Sequence, residues 1–230
     1  MAATLQSYIF FTQRLLHDAQ AQTWPVSPDL INYVNLARDR VALDTAATRV
    51  LPIITLNALQ ERYSHAYVQQ AVLNLAWQFN GTAPASRGIG CVIGINCIQS
   101  TAYQPPLSRM AWTELNVRYR QGGPTTAGSF PEAWAPYADN QNFYIACVPG
   151  STLTAEIDCQ FLPNPLVNLT DNETAIADPL SDLVPLMAAR WAMYYMDEQD
   201  TALVFWTHYL KERDELVAQL PGFAGFNVQT

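Results

Sequence analysis

Residues 142–161 read NFYIACVPGSTLTAEIDCQF. Phe143, Ile145 and Cys147 alternate with Asn142, Tyr144 and Ala146. Beyond Pro149-Gly150, Leu153, Ala155, Ile157, Cys159 and Phe161 alternate with Thr154, Glu156, Asp158 and Gln160. A period of two marks strands with one face on a core and the other wet. Pro149 presets φ for a turn corner and Gly150 tolerates positive φ, so the pattern predicts an antiparallel hairpin reversing there. The LPNP that follows ends the pairing, because proline brings no ladder donor.

Outward from this stretch, both ends of the chain are helical in pattern. Residues 4–18 place Leu5, Tyr8, Ile9 and Leu15-Leu16 in one stripe. Ser27-Pro28-Asp29 is an N-terminal signature of hydroxyl, proline and acid, and Leu30, Val34, Ala37 and Val41 continue at helical spacing to about Thr45. Near the other end, one helix passes through Leu183, Met187, Trp191 and Tyr194-Tyr195, with Pro185 tolerated only in its first turn. A last helix carries Ala202, Phe205-Trp206, Tyr209-Leu210, Arg213 and Leu216-Val217 on a broad apolar face, and stops at Pro221-Gly222.

The middle reads as strands over 50–56, 62–68 and 88–98, a short helix over 108–120, and an irregular loop over 121–141. Residues 70–84 suit a strand or a helix equally. The order predicts an α+β chain: residues 1–48 and 168–219 form a helical bundle, 49–167 an antiparallel β-rich inserted module, and 220–230 a tail.

Composition narrows the function. Only 14% of the 230 residues are charged, with eleven Arg, the single Lys211 and a net charge of −8. That balance argues against a nucleic-acid reader, which needs clustered basic residues. No basic segment followed by an apolar run opens the chain, so no signal peptide is expected, and no apolar run is long enough to span a membrane. The Asn80, Asn168 and Asn172 sequons are then accidental. Cys91, Cys97, Cys147 and Cys159 match no zinc spacing, and a Cys147–Cys159 bridge would exceed the reach of a disulfide in the expected hairpin. They read as small buried hydrophobes.

Catalytic patterns are weak. Gly88, Gly90 and Gly94 lack the dinucleotide-loop spacing. His17, His65 and His208 form no metal motif, and adjacent strand positions would send Ser64 and His65 to opposite faces. Glu156 and Asp158 share a strand face, as glycosidase acids do, but no cleft is implied. Of the tryptophans, Trp77, Trp112 and Trp134 suit core or interface anchors, and Trp191 and Trp206 suit the core. No cofactor or metal is called for.

Three segments together resemble the head-to-tail adaptor proteins of tailed bacteriophages: LINYVNLARDRVALDT near 31–45, LSRMAWTELNVRYRQGGPTTAG at 107–128, and ADPLSDLVPLMAARWAMYYMDEQDTALVFWTHYLKERDEL at 177–216. The resemblance implies a structural virion protein, not an enzyme. It would sit in the neck as a homo-oligomeric ring, commonly of twelve copies, that docks on the portal protein, receives a tail or nozzle protein and lets genomic DNA pass through its lumen. It also implies a C-terminal tail that contacts the portal, here with Phe223, Phe226 and Val228 as anchors. Arg38, Arg40, Arg118, Arg120, Glu156 and Asp158 are the expected inter-subunit residues, and Arg14 is a further candidate for inter-subunit or portal pairing. Two alternatives are a carbohydrate-binding or hydrolytic β module using Trp112, Trp134 and Tyr137 with Glu156 and Asp158, and a scaffold protein of another assembly.

Overall fold

The computed structural model describes residues 3–18, 20, 22–75, 86–98, 106–121, 130–137 and 141–219. In chain order the elements are α1 (Leu5–Leu15), α2 (Ile31–Asp44), β1 (Arg49–Val50), β2 (Ile53–Leu56), β3 (Arg62–Ser64) and α3 (His65–Leu73). Then come β4 (Ser86–Ile98), β5 (Ser108–Arg109), α4 (Trp112–Leu115), β6 (Ala133–Pro136), β7 (Asn142–Ala146), β8 (Leu153–Pro163), α5 (Leu183–Tyr195) and α6 (Gln199–Gln219). This is a mixed chain of helices and two sheets. It divides into two compact units, Met1–Thr48 with Leu162–Thr230, and Arg49–Phe161.

In the first unit, α1 starts with a reciprocal cap. The Thr4 hydroxyl accepts the Ser7 N–H at 3.1 Å, and the Ser7 hydroxyl accepts the Thr4 N–H at 2.9 Å. The Ser-Pro-Asp signature lies within the turn that leads into α2. A wide π turn over Val26–Leu30 precedes it, with the Leu30 N–H donating to the Pro25 carbonyl at 3.2 Å. Proline tolerates that first turn because its missing N–H has no partner to lose there. Helix α5 packs against α1, α2 and α6. It is buried almost throughout from Leu183 to Ala192, and Ala188, Ala189 and Ala192 let its neighbours approach closely. Pro185 sits in its first turn, as expected.

The second unit revises the reading of residues 142–161. Both stretches are strands, but they belong to different sheets. Strand β7 lies between β3 and β6, while β8 lies in a sheet with β1, β2 and β4. The hairpin partner of β7 is β6, which precedes it: Ala133 faces Ala146 and Pro136 faces Phe143. Alternation says which face is buried and is silent about the neighbour, so a strand pair and a crossover between sheets look alike in sequence. Cys147, at φ 59°, turns the chain out of β7 before Pro149-Gly150 is reached. The expected wet face of β7 is also covered: Asn142 and Ala146 are buried, and Tyr144 packs on Trp112. Along β8 Ala155, Ile157, Cys159 and Phe161 are buried as the alternation predicts, but Gln160 of the expected wet face is buried too, and β8 ends at Pro163.

Strands β1 and β2 are one antiparallel partner of β8 interrupted at Leu51-Pro52. The register runs on without slip from Arg49 opposite Gln160 to Leu56 opposite Leu153. Pro52 cannot donate, yet its carbonyl still accepts the Ile157 N–H at 2.9 Å. Other expectations also change. Residues 62–68 divide into β3 and α3, because the Ser64 hydroxyl accepts the Tyr67 N–H and caps the helix. The supposed loop over 121–141 contains β6, and β5 pairs with β6 in parallel, so the sheets are not wholly antiparallel. Residues 122–129 of that loop, Trp77 and most of 70–84 lie outside the described residues.

Candidate interaction surfaces

The most constrained polar group in the helical unit is a buried ion pair. Arg38 on α2 donates to Glu173 twice, from Nε to Oε2 at 2.6 Å and from Nη2 to Oε1 at 2.9 Å. Its Nη1 donates to the Asn164 carbonyl at 2.7 Å. Glu173 also accepts the Tyr8 hydroxyl at 3.1 Å and the N–H groups of Thr174, Ala175 and Ile176. Burial alone would push the Glu173 carboxyl up. The hydrogen bonds and charge of Arg38, with the Ala175 and Ile176 N–H groups, outweigh it and hold the carboxyl below its usual range. The same burial, with the Glu173 charge, pushes the Tyr8 phenol far up. The cluster ties α1, α2 and the connector before α5 into one piece.

That placement corrects one sequence expectation. Arg38 is 2% exposed and fully engaged within its own chain, so it offers nothing to a neighbouring subunit. The signal was present: Arg38 lies four residues after Val34 and three before Val41, on the buried stripe itself. Glu173 was missed because it sits in the polar stretch NLTDNET, residues 168–174, which shows no helical or strand period.

The remaining candidates are scattered. Arg40 is exposed, pairs with Asp44 at 2.8 Å and lies over the Trp206 ring; Asp44 in turn accepts the Tyr209 hydroxyl at 3.1 Å. In the second unit, Asp158 is paired with Arg49 across β8 and β1, and Glu156 lies on the same strand, half-buried. Arg120 pairs with Glu61 at 3.0 Å and stands over the rings of Trp112 and Tyr144. Arg118 is exposed over Tyr119. The tail anchors Phe223, Phe226 and Val228 lie outside the described residues.

The ligand face expected of a carbohydrate module is not assembled. Trp134 is completely buried, whereas Trp112 packs with Tyr137 and Tyr144. Strand β8, which carries Glu156 and Asp158, belongs to the other sheet. Nor do Ser64 and His65 behave as neighbours on a strand, since Ser64 is a helix cap. All four cysteines are free thiols; burial pushes Cys97 up to about 11 and Cys159 higher still. Among the described residues, no group of three or more His, Cys, Asp or Glu side chains is placed to hold a metal.

Two surfaces of the helical unit stand out. The first is apolar. Along α6 the expected face is the covered one, with Ala202, Tyr209 and Arg213 buried and Phe205, Trp206, Leu210 and Leu216 half-buried against the core, and further apolar side chains lie outside it. Leu203 is 61% and Val204 54% exposed. At the adjoining end of α5, Tyr194, Tyr195 and Met196 are each more than half exposed. Tyr195 stacks on Tyr33 at 5.4 Å and packs on Trp191, which anchors this corner to the core. The second is a groove of about 440 Å³ between α1 and the start of α5, walled by Tyr8, Phe11, Leu15, Pro185 and Leu186. Arg14, Asp182 and Glu212 also line it.

No helix among the described residues is long and apolar enough to cross a membrane. Neither a protein-family model nor a curated protein matches the chain.

Proposed function

We propose that this chain is a structural virion protein, a head-to-tail adaptor subunit that assembles into a ring between portal and tail around the DNA exit channel. In this reading the two chain ends form one helical bundle, and the sheet unit is inserted between Thr48 and Leu162. The observation that carries the proposal is the apolar surplus where α5 turns into α6. Five large apolar side chains there are more than half exposed. Exposed apolar side chains concentrated in one stretch of chain are characteristic of sites that another protein covers. A ring subunit needs such surface, because each copy must bury a patch against the next for a heterologous contact to close. The sequence resemblance over 31–45, 107–128 and 177–216 supplies the class of assembly, and the acidic, Lys-poor composition suits a channel wall that does not hold DNA.

The test is the particle size of the purified chain by light scattering and negative-stain microscopy, alone and with portal protein. Rings, alone or on the portal, are the expected result. A chain that stays monomeric and unbound in both conditions overturns the proposal.

A further inference from the structure

We propose that the groove between α1 and α5 is a docking site for this chain's own C-terminal segment, with FAGFNV, residues 223–228, as its occupant. At about 440 Å³ the groove is within the range of about 300–1,000 Å³ typical of ligand sites. Its walls at Phe11, Leu15, Pro185 and Leu186 are apolar, and Phe11 is 52% exposed.

Chain length and direction favour the tail. Glu212 of α6 lines the groove, and the helix runs on to Gln219. Those seven residues carry the chain only roughly 10 Å beyond it at a rise of about 1.5 Å each. Residues 220–230 then reach up to roughly 36 Å when extended, at about 3.3 Å each. Pro221 and Gly222 are residue types that favour a chain reversal there. Phe223 and Phe226 offer two aromatic anchors, the residue type that fills apolar pockets most productively. The segment carries no charged side chain, which suits a groove lined by Arg14 on one sign and Asp182 and Glu212 on the other. Tethering favours the same molecule over a second copy, because a short linker holds its end at an effective concentration on the order of millimolar.

This inference does not depend on the ring reading. Should the tail also serve a portal contact, the groove is where it rests beforehand. The experiment involves no portal, so its failure and the failure of the ring reading are separate results.

Amide hydrogen exchange on the full chain, compared with Phe223→Asp/Phe226→Asp, is the test. Exchange over residues 5–15 and 183–187 is expected to quicken about tenfold in the variant while the sheet unit is unchanged. A synthetic peptide of residues 220–230 added to that variant restores the protection. It fails to do so when the chain also carries Phe11→Asp. Equal exchange in wild type and tail variant overturns the proposal, as does peptide protection that ignores Phe11→Asp. Protection that grows with protein concentration assigns the tail to a neighbouring copy and overturns docking within one chain.

Discussion

Replacing Arg38 with Met removes the guanidinium from the buried cluster while keeping much of its aliphatic volume. Glu173 then retains the Tyr8 hydroxyl and three N–H donors but loses both charged hydrogen bonds, and the Asn164 carbonyl loses its donor. With both side chains at most 2% exposed, water does not compensate. Breaking one half of a buried pair of this kind costs about 3–5 kcal/mol. Against a total stability of about 5–15 kcal/mol for a domain, that is a large fraction. At about 4 °C per kcal/mol for a unit of this size, the melting temperature of the helical unit falls by roughly 12–20 °C. Thermal and urea denaturation followed by circular dichroism measure it, with the two units fitted as separate transitions where they separate. Glu173→Gln, which keeps one carbonyl acceptor, should cost less, and the double variant should be more stable than the sum of the singles by at least about 1.5 kcal/mol. A loss under about 1 kcal/mol for Arg38→Met, or strict additivity, would refute the role given to this pair.

Acid should weaken the helical unit in the same region. The folded Glu173 carboxyl is depressed, so its contribution is complete above its unfolded value of about 4.3 and is lost as pH falls through the lower folded value. Asp18 moves the same way, since the N–H groups of Trp24, Gln22 and Thr23 outweigh its burial. Melting curves between pH 7 and strong acid should therefore fall steeply only below about pH 5, and Glu173→Gln should flatten that fall. Ile157→Ala removes a wholly buried side chain from β8 and should destabilise the sheet unit by about 2–5 kcal/mol in urea melts. Leu59, 69% exposed and held at φ 62°, is better served by glycine, so Leu59→Gly should be neutral or raise stability by up to about 1 kcal/mol. Leu203→Asp with Val204→Asp should leave the melting temperature nearly unchanged while reducing assembly size in light scattering; equal assembly removes this apolar surface from the interface.

The helices were legible because burial repeats every three to four residues along them. Leu5, Tyr8 and Ile9 on α1, and Val34, Ala37 and Val41 on α2, are all core. The sheets were legible only as strands. Nothing in residues 142–161 distinguishes a turn that folds β8 back on β7 from one that carries the chain to another sheet, because each strand is chosen by partners far away in sequence. Strand β6 was hidden by its length: AWAP, bounded by Pro131 and Pro136, offers too few positions to display a period. Helix α3 was obscured by the β-like RYS that precedes it, although Ser64 with Val68 and Val72 formed a cap and a buried stripe. For Arg38 the helical wheel pointed inward, but charge suggested the surface. Only a partner 135 residues away resolves that conflict.

The fate of the six charged candidates bears on what could hold a ring together. Arg38, Arg40, Arg120 and Asp158 already have partners within the chain. Recruiting any of them to a neighbouring subunit means breaking one ion pair to form another, and exposed pairs contribute only about 0–1 kcal/mol to begin with. Of the six, Arg118 and Glu156 are the two with no ion-pair partner among the described residues, one exposed and one half-buried. Apolar surface carries no such exchange: each square ångström covered contributes about 25 cal/mol whatever the salt concentration. Assembly driven by Tyr194, Tyr195, Met196, Leu203 and Val204 should therefore be insensitive to ionic strength, whereas assembly through the arginines should dissolve as salt screens it. Light scattering across a salt series separates the two, and loss of assembly at high salt would return the interface to the charged residues.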